Sequence, residues 1–102
     1  MANAEQLAKL RAGVDGWNQW RESTADEAID LSRANLSNAV LTGANLSGAD
    51  LSRVNFIGAT FSATNLAGAN LSNADLSGAD VNKADPTGAT LTGANLLGAD
   101  LS

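Results

Sequence analysis

From Ile29 onward the chain places a large apolar residue at every fifth position. Leu31, Leu36, Leu41, Leu46, Leu51, Phe56, Phe61, Leu66, Leu71, Leu76, Val81, Leu91, Leu96 and Leu101 hold this phase, and Pro86 takes the one slot where the series lacks an aliphatic or aromatic side chain. Two residues before each stands a smaller apolar residue, nearly always Ala, with Ile29, Val54 and Thr64 departing from it. Asn or Asp usually lies between the two, except at Val40, Thr60 and Thr90. Ser or Thr commonly follows the large residue, and eight of the ten glycines fall one position later.

A period of five fits neither regular element. On an α-helix five residues advance a side chain by about 500°, so successive leucines would spiral around the axis. In a straight strand five is odd, and they would alternate between opposite faces. A short extended piece followed by a corner buries the pattern. Ala and Leu, two apart, share the inner face, Asn or Asp points outward, and the Ser-Gly pair turns the chain, Gly accepting positive φ without a Cβ clash. Repetition coils the chain around its own apolar residues and pairs backbone groups with the coils above and below.

The first 28 residues follow another rhythm. Leu7, Leu10, Val14, Trp17 and Trp20 are spaced three, four, three and three, one stripe of an amphipathic helix. Asn3 followed by Gln6 resembles a capping box. Gly13 and Gly16 each cost about 1 kcal/mol in a helix interior, so the helix is expected to depend on docking its stripe against something apolar. The stripe predicts a single helix acting as a lid. Residues 1–28 are thus read as helix and connector, and 29–102 as the repeat array.

With 102 residues, four aromatic side chains and a preponderance of small apolar ones, the chain could build only a thin compact core. It has no Cys, His or Tyr, which removes disulfides, thiolate chemistry and any Ser-His-Asp triad. Its formal net charge of −5 disfavours nucleic acid and anionic membranes. With no basic-then-apolar leader and no stretch of ~20 apolar residues, a soluble, cytoplasmic protein is expected.

The pattern in Ala44-Asn45-Leu46-Ser47-Gly48 and Ala49-Asp50-Leu51-Ser52-Arg53 resembles the pentapeptide-repeat family, and the likeness extends over residues 29–102. It implies an all-β solenoid: a right-handed quadrilateral β-helix with four pentads per coil, here just under four coils. In it Leu31, Leu51, Leu71 and Leu91 form one column, and Leu36, Phe56, Leu76 and Leu96 the next. Phe56 and Phe61 would thicken one coil, Arg33 and Arg53 would lie one above the other, and Pro86 would distort a corner. The segment Trp17-Asn18-Gln19-Trp20-Arg21 is similar to the N-terminal helix of some bacterial members, cyanobacterial ones among them, where it covers the first coil.

The function these features imply is a non-enzymatic structural or interaction scaffold with a protein partner, no cofactor, no metal and no membrane or direct nucleic-acid binding. Six Asp lie in the array, Asp30, Asp50, Asp75, Asp80, Asp85 and Asp100, and turn chemistry accounts for them better than a cation site at Asp80 and Asp100. Trp17, Trp20 and Arg21 are residue types typical of interface anchors, with lid formation as the simpler use. Some family members mimic DNA to bind DNA gyrase. That alternative needs a long acidic rod, whereas this array carries six Asp against Arg33, Arg53 and Lys83, a net of −3. A weak Ca²⁺-binding module is a second alternative, without the ligand spacing of known loops. The last turn carries Leu91, Leu96 and Leu101 with no visible lid, so either two chains meet there end to end as a homodimer or the natural chain continues.

Overall fold

Every pentad performs the same local manoeuvre. In the computed structural model, which describes residues 2–101, the Leu31 carbonyl accepts the Ala34 N–H at 3.1 Å, and the bond recurs as far as Ala99 N–H to Leu96 O at 3.0 Å. The third residue of each turn has positive φ, 65° at Arg33 and 67° at Gly48, while the second residue does not, which defines a type II turn. Glycine removes the steric penalty at that position. Arg33, Arg53, Ala63 and Lys83 bear it, at about 1–2 kcal/mol each.

The outward Asn or Asp sets up this turn. Asn45 Oδ1 accepts the Ser47 N–H at 3.1 Å and the Ser47 hydroxyl at 2.7 Å, and Asp50 does the same for Ser52. A short side chain with an oxygen two bonds beyond Cβ is what reaches that amide, hence the Asn/Asp preference.

Coils pair in parallel at a register of 20, from Asp30 opposite Asp50 through Asp80 opposite Asp100. Three backbone bonds recur per pentad, as in Leu31 N–H to Asp50 O (2.9 Å), Arg33 N–H to Ser52 O (2.9 Å) and Asp50 N–H to Ile29 O (2.8 Å). Each side is so short that it forms one paired residue between turns, and among the described residues no continuous strand develops. The solenoid with its lid measures 35 × 25 × 24 Å.

The inward columns fill the coil. Leu31, Leu46, Leu51, Phe56 and Phe61 are fully enclosed, and Leu36, Leu41, Leu66, Leu71 and Leu76 nearly so. Phe56 and Phe61 meet edge to face, centroids 4.6 Å apart, forming the bulkiest plug of the array. Thr64, in an Ala slot, is buried because its hydroxyl donates to Leu41 O at 2.7 Å. Val81 and Leu96 are only half-buried, and Leu91, placed in the core by its phase, is 40% exposed because no coil of the described residues covers it.

Two expectations need correction. The N-terminal segment forms two helices rather than one: α1, Ala4–Ala12, and α2, Val14–Ser23. Gly13, at φ 142°, is the joint between them, closing α1 through a bond to Leu10 O and starting α2 by accepting Trp17 N–H. Pro86 also causes no distortion. Its carbonyl still accepts Ala89 N–H at 2.8 Å, and Asp85 N–H still reaches Thr64 O at 2.9 Å. The N–H that proline lacks would point out of the C-terminal end, where no coil of residues 2–101 waits for it.

Candidate functional site

A coil left bare at either end exposes apolar side chains and a row of backbone N–H and C=O groups. The two ends treat this problem in opposite ways.

At the N-terminal end, α1 and α2 lie across the first coil. Trp17 is fully buried and its indole N–H donates to Asn45 O at 2.8 Å. Leu10 is buried beside it, while Leu7, Val14 and Trp20 are half-buried against the same core. Trp20 lies 5.1 Å from Trp17 between ring centroids, with the Lys9 ammonium 5.6 Å from its own. Arg21 donates to Ser47 O at 2.8 Å, and partial burial draws its guanidinium pKa below the usual value. Trp17 and Arg21 are thereby engaged by the first coil itself.

Polar side chains do as much here as the apolar stripe. Asn3 caps α1 by accepting the Glu5 and Gln6 N–H groups, but Gln6 does not complete a capping box. Instead Gln6, 2% exposed, accepts Asp30 N–H at 2.8 Å and donates to Ala28 O and Glu27 Oε2. Asn3 N–H donates to Asp30 O, Arg11 to Asn35 O, and Asn18 both accepts Asn45 N–H and donates to Gly43 O. Sequence reasoning missed Gln6 and Asn18. The available signal was that Gln6 sits four residues before Leu10, on the buried stripe.

At the C-terminal end no such lid exists among the described residues. The last inward side chains surround a concavity of about 380 Å³ bordered by Leu76, Val81, Pro86, Leu91, Leu96 and Leu101. Leu101 is 64% exposed. Beside it the N–H groups of Leu91 and Leu96 and the carbonyls of Ala89 and Ala94 have no partner among the described residues.

The side faces offer turn chemistry. Asp80 and Asp100 stack as expected, but Asp80 Oδ1 accepts Asn82 N–H, the same bond that Asp30, Asn45 and Asp75 make within their own turns. Hydrogen bonds from Ser32 and Thr87 hold the Asp30 and Asp85 carboxyls below the ordinary carboxylate range. Among the described residues no three His, Cys, Asp or Glu side chains cluster to hold a metal, and no helix is long and apolar enough to cross a membrane. Arg33 and Arg53 occupy equivalent, exposed corners of successive coils.

Parallel pairing at register 20, four type II corners per coil and an Asx bond before each corner define a four-sided β-helix built from five-residue units. The chain belongs to the pentapeptide-repeat family, whose model of eight pentapeptide repeats matches it twice, over residues 29–68 and 69–102. A pentapeptide repeat protein from Nostoc PCC 7120 is similar over 74% of this chain at 45% identity, with a TM-score of 0.72. One from the Arabidopsis thaliana thylakoid lumen is similar over 72% at 38% identity and a TM-score of 0.69. One from the cyanobacterium Cyanothece 51142 is similar over 72% at 31% identity and a TM-score of 0.53. These relatives imply right-handed winding of the solenoid. The chain spans 63%, 51% and 57% of their respective lengths. No curated protein sequence matches it.

Proposed function

We propose that this chain is a non-enzymatic interaction scaffold that pairs with a second copy of itself through its C-terminal coil. One observation carries the reading: the array whose core is covered at one end by Trp17, Gln6 and Asn18 presents an apolar concavity and unpaired backbone at the other. The exposed edge is self-complementary, because donors at Leu91 and Leu96 alternate with acceptors at Ala89 and Ala94, so two copies related by a two-fold axis can exchange bonds. Catalysis has no support in the sequence, since no His or Cys stands near the many hydroxyls to activate them. A gyrase-binding DNA mimic is the weaker reading, given an array net charge of only −3.

Solution mass by light scattering across a wide concentration range tests the pairing. A dimer converted to monomer by Leu96→Asp or Leu101→Asp, with unchanged circular dichroism, is the expected result. A monomer at every concentration contradicts it.

A further inference from the structure

The N-terminal lid stands in for a preceding coil on three sides of the solenoid and not on the fourth. Asp30 and Asn45 have both backbone groups met, by Asn3 and Gln6 and by Trp17 and Asn18, and Asn35 has its carbonyl met by Arg11. The remaining side carries Val40. Among the described residues nothing bonds to Val40 N–H, Val40 O or Thr42 O.

A second observation converges on the same place. Val40 is the one aliphatic residue among the outward repeat positions, which otherwise hold Asn, Asp or Thr. It forgoes the Asx bond to the next turn and leaves its side chain 70% exposed. Beside it the joint between α1 and α2 leaves a cleft of about 440 Å³, with Val40 and Thr42 on one side and Gly13, Asp15 and Gly16 on the other. A Cβ added at Gly13 or Gly16 would meet nothing within 4 Å, so the cleft is open at both.

We propose that this cleft docks an extended, basic segment of a partner protein, which adds a parallel rung to the first coil at Val40. The register follows from the ladder above it. Asp50 N–H bonds back to Ile29 O, and Leu31 N–H bonds forward to Asp50 O. By the same rule the residue opposite Val40 offers neither of its own backbone groups. The carbonyl of the residue before it accepts Val40 N–H, and the N–H of the residue after it donates to Val40 O. An apolar residue opposite Val40 would stack on the exposed valine, as cross-strand pairs do. Asp15 and the chain's net charge of −5 select basic neighbours, and the same charge disfavours a second copy in this position. This site is independent of the C-terminal pairing.

The test is a chemical-shift titration of the isotope-labelled chain with the acetylated, amidated hexapeptide KTVTKT. Shifts are expected to centre on the Val40 and Thr42 amides. N-methylation of the residue following the peptide's valine should weaken binding at least tenfold, while N-methylation of the valine itself changes it less than twofold. Replacing both lysines by glutamate should weaken it at least threefold, as should Asp15→Asn in the protein. Gly16→Gln fills the cleft from a helical position, so it should abolish the shifts without lowering Tm. Shifts away from Val40 and Thr42, equal binding of the two N-methylated peptides, or no shift at millimolar peptide would overturn the proposal.

Discussion

The two ends of this solenoid face the same physical problem with different means. At the first coil an indole plug excludes water, and side chains of Gln6, Asn18 and Arg11 bond backbone groups that a preceding coil would otherwise meet. At the last coil Leu91 and Leu101 remain open, and Pro86 removes one edge donor outright. A β-helix cannot terminate itself by repetition, since each added coil only moves the bare edge. Termination needs residues that break the repeat, and among the described residues most of them lie at one end.

The largest expected contrast comes from apolar truncation. Trp17→Ala should cost about 3–5 kcal/mol of unfolding free energy in urea, since a fully buried side chain is removed from the lid. Leu101→Ala should cost less than about 1 kcal/mol in the monomer, because a side chain 64% exposed has little burial to lose. Equal losses at the two ends would break the comparison.

Polar capping comes next. Gln6→Leu keeps the volume of the lid and raises its hydrophobicity but strands Asp30 N–H, so a loss of about 1–3 kcal/mol is expected despite the apolar gain. A neutral or stabilising effect in the same urea experiment would mean that apolar cover alone closes the first coil.

The smallest effect separates local turn chemistry from the ends altogether. Asp30 near the lid and Asp85 near the open end both have depressed pKa values, each from hydrogen bonds within its own turn. A carboxyl depressed in the folded state contributes stability that is present above its unfolded pKa and lost as pH falls through the folded one. Stability should therefore begin to decline below about pH 4, and carboxyl titration by NMR should find both groups low. A shift confined to Asp30 would show that the lid, not the turn, depresses it.

Much of this fold was legible because the repeat states its register fifteen times over. The phase of Leu31 through Leu101 excluded helix and strand, and it placed Phe56 against Phe61. The lid was legible only as a stripe. Gly13 read as a destabilised helix interior, whereas a φ of 142° makes it the joint that allows two helices to cross the coil. Gln6 stayed hidden because its partners Glu27, Ala28 and Asp30 lie more than 20 residues away, and no local pattern announces a side chain that imitates a backbone. Pro86 misled for a related reason. A missing donor is harmful inside a ladder and harmless on its outer edge, and only the three-dimensional position of the last coil distinguishes these.

Amide hydrogen exchange at both ends tests the central claim most directly. In dilute monomer, Asp30 and Asn45 amides should be protected by Gln6 and Asn18, while Leu91 and Leu96 amides exchange near the unprotected rate. At concentrations where the chain pairs, Leu91 and Leu96 should become protected. Slow exchange of Leu91 and Leu96 in the dilute monomer, or fast exchange of Asp30 and Asn45, would contradict the account of one lidded end and one open end.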